Sequence, residues 1–184
     1  MSYSQKIDDY IKNHPDCILK KTITVILSGK PTELQVYRIP TELTFYNIKN
    51  GRFAAEYIEL QSKINRQLEP HNSQDSNEIK KMLLEIDPAQ SKILEQDILL
   101  YGQKEPGIIS YDGLIINANR RRASLDSLVE NGNSNFRFIE VGRLPPNVSS
   151  QDLWRIEAGI QLSKNVQLSY SPINELLKFK EGLD

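Results

Sequence analysis

The sequence is poor in the residues that most often carry chemistry. Its 184 residues include one cysteine, Cys17, and two histidines, His14 and His71. A lone cysteine excludes a disulfide framework and a thiolate zinc cluster. Neither histidine has a partner at metal-ligand spacing, and both sit in loop-like stretches, which argues against a Ser-His-Asp triad. No apolar run is long enough to cross a bilayer. The opening MSYSQKIDDYIKN lacks the charged-then-apolar layout of a signal peptide, so the expected location is the cytoplasm, with no membrane partner. Excess positive charge is missing too: the net charge is −1 and the isoelectric point about 6.2. That argues against a chain coated by nucleic acid, and leaves room only for a local basic patch.

Hydrophobic residues make up 39% of the chain, enough for one good core, and the mean hydropathy of −0.48 demands a strongly polar surface. Along the chain, SYSQKIDDYIKNH reads as an amphipathic helix with Ile7, Tyr10 and Ile11 on one face, stopped by Pro15. TITVILSG and ELQVYRIP read as a hairpin around SGKPTE. TELTFYNIKNGRF reads as a polar corner. A helix follows, with Phe53, Tyr57, Leu60 and Ile64 at helical spacing, and EPHNSQDSN reads as a surface loop. NEIKKMLLEID is a helix, and a second one is capped by Asp87 with Pro88 at its first position. GIISYDGLIINA is a hairpin turning at Asp112-Gly113. RRRASLDSLVENG is a helix ending at Gly132, and FRFIEVGRL is a strand. Helices are expected from Ser149 or Ser150, and again over SPINELLKFKEG, started by Ser171 and Pro172 and stopped by Gly182. A further helical domain is expected beyond EGLD in a longer protein.

One stretch stands out, DGLIINANRRRASLDSL. Three arginines follow an apolar strand and open a helix. The first N–H groups of a helix lack partners and carry the positive end of its dipole, so such a corner is a ready anion site. Guanidinium groups add planar donors matched to phosphate oxygens. Asn117 and Asn119 supply short polar side chains, and Ala118 is small enough to let a ligand approach the backbone. The alternative is that the arginines are solvated surface charges or pair with Asp126, Glu130 or Glu140.

This stretch resembles the strand–turn–helix box of the ParB N-terminal domain, of the ParB/sulfiredoxin superfamily, which reads Gly-Glu-Arg-Arg or Gly-Asn-Arg-Arg. Ala118 stands at the glycine, Asn119 at the Glu/Asn position, and Arg120 and Arg121 at the paired arginines. Three further segments are similar in the expected order. YNIKNGR resembles the Asn-Pro-x-Arg segment, with Arg52 as its arginine. ILLYGQKEPGIIS resembles the Gly-Gln-x-x-Pro step, with Gly102, Gln103 and Pro106. WRIEAGIQLSKNVQLSYSPINELL resembles the Glu-Asn-x-Gln-Arg helix and the Ser-Pro-Ile helix start after it, with Glu157 and Gln161, then Ser171, Pro172 and Ile173. The resemblance spans about residues 36–183.

It implies an α+β fold, a small mixed sheet with packed helices. Residues 1–35 would be an N-terminal helix and hairpin extension, residues 36–184 the ParB/sulfiredoxin-like domain, with a helical insertion at about 60–92. It implies a nucleoside triphosphate ligand, CTP favoured, with magnesium. In partition proteins of this type such binding turns a DNA-loaded dimer into a sliding clamp, so nucleotide, DNA, a second copy or a partner protein are the expected associates. Relatives hydrolyse ATP or GTP, act as serine kinases or are described as nucleases, which leaves weak NTPase, nuclease or phosphotransferase activity as the enzymatic alternative. A nucleotide-independent module that binds DNA phosphates is a third.

The implied nucleotide ligands are Arg52, Gln103, Asn117, Ala118, Asn119, Arg120, Arg121 and Gln161. Glu157 is the implied magnesium ligand and, in an enzyme, the catalytic carboxylate. Arg122 is a surface or DNA-phosphate contact. Other roles compete: Arg52 pairing with Glu56, Gln103 closing a helix end, Glu157 pairing with Arg155 or Lys164. Trp154 and Tyr170 read as packing aromatics, and Cys17 as an inert thiol. Besides the insertion at about 60–92, the sequence departs from the pattern in five ways. No cysteine stands near Asn119, so sulfiredoxin chemistry is unsupported. Ala118 replaces glycine, which is costly if that position needs a positive φ. Ala158 replaces the asparagine beside Glu157, and Leu162 the final arginine. No helix-turn-helix follows.

Overall fold

In the computed structural model, which describes residues 2–49 and 51–166, the chain is a mixed α+β protein. Helix α1 (Tyr3–Asn13) leads into a hairpin of β1 (Ile18–Leu27) and β2 (Lys30–Pro40). Helices α2 (Ala54–Ile64), α3 (Ser73–Glu85) and α4 (Pro88–Tyr101) follow. Then come β3 (Gly107–Ile109), β4 (Ile115–Asn117), α5 (Asn119–Glu130), β5 (Phe138–Arg143) and α6 (Ser150–Val166). The strands form one sheet in the order β1-β2-β5-β3-β4, antiparallel throughout except for the parallel pair β3 and β5. The hairpin is part of this sheet, because Val36 to Pro40 of β2 pair with Gly142 to Phe138 of β5.

Alternation along the short strands explains the layering. Successive strand residues face opposite sides. Ile109 and Ile115 face a core with Ile7 of α1, Ile98 of α4, and Leu125 and Leu128 of α5. Ile108 and Ile116 face the other side, where Leu144 and Ile156 of α6 pack. Both faces are covered, so β3 and β4 read as unbroken isoleucine runs. A third cluster joins α2, α3 and Ala123 of α5 to Tyr46 and Phe53. Helix α5 thus sits at the centre, between sheet and outer helices, and each fully buried isoleucine beneath it contributes about 1.5–3 kcal/mol.

The capping signals hold. Asp87 accepts from Gln90 N at 3.0 Å, with Pro88 first in α4, and Ser149 Oγ caps α6 by accepting from Asp152 N at 3.1 Å. Gly113, at φ 98°, makes the hairpin turn where a Cβ would lie 2.6 Å from Leu43 O. Three expectations are corrected. The stretch 41–47 is not a polar surface corner: Thr44, Phe45, Tyr46 and Asn47 are buried, and Phe45 bridges to Leu114 beside β4. The loop after α2 spans 65–72 and not EPHNSQDSN, because α2 ends at Ile64 with Asn65 left-handed, and Asn72 accepts from Gln74 N and Asp75 N and starts α3 there. Trp154, expected to pack, is 68% exposed on α6. Tyr170 and the Ser171–Pro172–Ile173 helix start lie outside the described residues.

Candidate anion site at the start of α5

Strand β4 ends at Asn117, opposite Ile108, and α5 begins at Asn119. The single residue between them is Ala118, at φ 105° and ψ 21°. This is a glycine-type conformation, and an alanine held there stores about 1–3 kcal/mol of strain. The Ala118 Cβ needs room, and Gly107 on β3 provides it: a Cβ at position 107 would lie 2.8 Å from the Ala118 Cβ and 2.9 Å from Asn117 O. Ala118 O accepts from Arg122 N at 2.9 Å, which closes the first turn. No side chain caps the helix among the described residues, so its leading amides are open to an external acceptor.

The side chains around this opening carry buried donor atoms. Asn119 is 5% exposed. Its Oδ1 accepts from Asn47 N at 3.0 Å, while its Nδ2 has no hydrogen-bond partner among the described residues. Arg120 Nε and Arg121 Nη1 are buried in the same state. The Arg121 side chain is 15% exposed, and its Nη2 lies 3.5 Å from Glu105 Oε2, on a carboxylate that is itself 65% exposed. Burial pushes the Arg121 pKa down from the ordinary guanidinium value, and Glu105 opposes that shift. The corner therefore carries cationic donors, with the Glu105 carboxylate facing Arg121.

A second element closes over it. Gly51 N donates to Glu157 Oε1 at 3.2 Å, and Asn47 Nδ2 to Glu157 Oε2 at 3.5 Å. Asn47 thus ties the segment 47–51 to Asn119 on one side and to α6 on the other. The expected box residues Asn119 and Glu157 are joined through it. Asn47 is a residue of the candidate site that the sequence alone did not single out, although it lies within YNIKNGR. Arg52 is in the turn Gly51–Phe53 and Gln161 in α6, and the side chains of both lie outside the described set. Asn117 is half-buried at the strand end.

Two expected site residues have other duties. Arg122 is no surface contact for DNA: it is 6% exposed. It donates from Nη1 to Thr44 O at 2.7 Å, lies 3.3 Å from Asp126 Oδ2, and covers the Tyr46 ring at 4.2 Å. Tyr46 donates to the same Asp126 at 3.0 Å. The expected pairing with Asp126 is thus real for Arg122, whereas Glu130 pairs with Lys80 and Glu140 with Lys21. Gln103 donates to Glu105 O at 2.9 Å and Glu140 O at 2.7 Å, and accepts from Glu140 N at 2.8 Å. Both ends of its amide are engaged with backbone, which makes it a brace between the end of α4 and β5. Arg155 faces Asp152 rather than Glu157. Cys17 is buried, and burial raises its thiol pKa, in keeping with an inert role.

Comparison with models of known families, with curated proteins and with solved structures finds no match. No helix among the described residues is long and apolar enough to cross a membrane.

Proposed function

We propose that the chain is a ParB/sulfiredoxin-like domain that binds a nucleoside triphosphate at the start of α5. CTP is the first candidate, by the resemblance, and binding switches an interaction with DNA or a partner protein. One observation carries the reading: Asn119 Nδ2, Arg120 Nε and Arg121 Nη1, on three consecutive residues at a helix N-terminus whose N-cap makes no side-chain cap, are buried atoms with no hydrogen-bond partner among the described residues. A buried donor left without an acceptor costs about 1–3 kcal/mol, and more when charged. Phosphate oxygens are the acceptors that suit planar cations beside helix amides.

Magnesium fits this arrangement in a limited way. Among the described residues no three His, Cys, Asp or Glu side chains gather into a metal cage. Glu157 would hold the ion, with phosphate oxygens and water completing its shell, which magnesium accepts readily. When bound, it would neutralise phosphate charge. Asn47 and the Gly51 amide orient the Glu157 carboxylate, and Asn119 fixes the segment that carries them.

Calorimetric titration with CTP, ATP and GTP, with and without magnesium, tests the reading. The expected result is binding of at least one nucleotide that Arg121→Ala abolishes. Absence of binding for all three would contradict it. Once binding is found, Glu157→Gln separates a switch from an enzyme, since only an enzyme loses turnover while keeping nucleotide.

A further inference from the structure

The sheet has two edges, and they are finished differently. At one edge β4 is three residues long and already occupied: Phe45 N donates to Gly113 O and Ile115 N to Phe45 O, both at 3.0 Å. The other edge is β1, ten residues long and paired with β2 on one side only among the described residues. Its first part is blunted. The register slips between Ile18 and Thr22, and Gln35 Nε2 donates to Leu19 O at 2.5 Å and to Lys21 O at 3.2 Å. Its second part, Thr22–Leu27, keeps a regular register and reads TITVIL, with no charge, proline or glycine. It has none of the devices that usually protect an exposed strand edge.

The turn fixes which atoms this stretch presents. Ser28 and Gly29 both have positive φ, 49° and 77°, as a two-residue type I′ turn requires. Leu27 and Lys30 are then the hydrogen-bonded pair that closes the hairpin, and bonded pairs alternate with non-bonded ones along it. Pro31 agrees with this phase: it has no N–H, and it stands opposite Ile26 in a non-bonded pair. The N–H and C=O groups of Thr22, Thr24 and Ile26 therefore point away from β2, and no hydrogen bond from another element reaches them among the described residues. The Ile26 side chain beside them is 55% exposed.

We propose that this edge pairs with the same edge of a second copy of the chain, antiparallel about a two-fold axis at Thr24, with no nucleotide required. The stretch complements itself in that register. Thr24 meets Thr24, and Thr22 meets Ile26 of the second copy, all through outward-pointing groups. Ile23 meets Val25 of the second copy on the face that Ile156 of α6 covers. Threonine pairs and pairs of β-branched residues are favourable across strands. The positive charges stay apart. Lys20 and Lys21 fall opposite Ser28 and Leu27 of the second copy, and Lys21 is held by Glu140 of its own sheet. A contact of this isologous kind closes at two copies, joins their sheets into one and leaves only the short β4 edges outside.

Sedimentation of the whole chain over a concentration series reads the association, and Thr24→Pro tests its place. Proline removes an N–H that the hairpin does not use, so the hairpin stands while the outer edge is blocked. The expected result is a wild-type dimer at roughly micromolar concentration, and a dissociation constant raised roughly ten- to hundredfold in Thr24→Pro with unchanged circular dichroism. If Thr24→Pro does not fold, Thr24→Lys replaces it: two cations then face each other on the axis, and the dimer should weaken to a similar degree, less so at high salt. Cysteine substitution reads the register. Thr24→Cys should cross-link into a dimer under mild oxidation, because the two Cα atoms stand about 5.5 Å apart, whereas Thr22→Cys, out of register with itself, should not. A monomer at every concentration would overturn the proposal and leave the edge to a strand of another protein. A dimer that both Thr24 variants leave intact, or cross-linking as efficient at position 22 as at 24, would also overturn it.

Discussion

The first turn of α5 has two sides, and they differ in how far their polar groups are engaged within the fold. On the inner side Arg122, Tyr46, Asp126 and the Thr44 carbonyl form a connected network, in which the buried Arg122 Nε meets Asp126 at 3.3 Å as an ion pair without a hydrogen bond. On the outer side Asn119 is buried and Arg120 and Arg121 are half-buried, and Asn119 Nδ2, Arg120 Nε and Arg121 Nη1 have no hydrogen-bond partner among the described residues, although Arg121 Nη2 faces Glu105. Arg121 and Arg122 are neighbours in sequence, and one step along a helix turns a side chain by about a quarter circle. Arg122 therefore serves the fold, and we propose that Arg121 serves a ligand. Satisfied buried networks fix structure, while a buried donor without a partner calls for an explanation, of which bound water, an ion or a ligand is one.

This contrast can be broken in a graded way. Removing the inner arginine should have the largest effect. Arg122→Ala strips Asp126 of its cation, Thr44 O of its donor and Tyr46 of its cover, and should lower stability by about 3 kcal/mol or more by urea denaturation. A loss below 1 kcal/mol would mean that the network is incidental. Next comes the support of the corner. Gly107→Ala places a methyl against the Ala118 Cβ and Asn117 O, and should cost about 1–3 kcal/mol while weakening any nucleotide, since it displaces the turn that aims the α5 amides. The smallest effect runs the other way. Ala118→Gly relieves the positive φ and should raise stability by about 1 kcal/mol in the same assay. A drop instead would show that packing of the Ala118 Cβ over Gly107 outweighs the strain.

Much of this was legible in sequence, for identifiable reasons. The β4–α5 corner stood out because an apolar run, a small residue and three arginines abut, and the cost of alanine at position 118 followed from the glycine that the resembling box has there. Caps at Asp87 and Ser149 were readable because capping is local chemistry. What escaped reading depends on partners distant in the chain. The stretch 41–47 has no periodicity, and its burial comes from the Phe45–Leu114 bridge and from Arg122. The fate of Arg122 had a local trace, since it precedes Leu125 and Asp126 by three and four residues and so shares their face. The exposure of Trp154 had one too, because Leu153, Ile156 and Ile160 already complete the inward stripe of α6. For Gln103 the helix-end role was readable but its partner was not: its two-ended grip on Glu140 joins residues 37 positions apart.

The central claim is that the outer donors exist for a ligand, and Arg121→Met tests it most directly, with nucleotide affinity and urea stability measured on one preparation. The variant keeps the length of the side chain and removes a largely buried cation that faces Glu105. Nucleotide affinity should fall roughly ten- to hundredfold, the value of a charge-assisted hydrogen bond. The stability of the nucleotide-free protein should hold or rise by about 1 kcal/mol. Unchanged affinity together with a clear loss of stability would place Arg121 with Arg122 among the structural arginines and contradict the account.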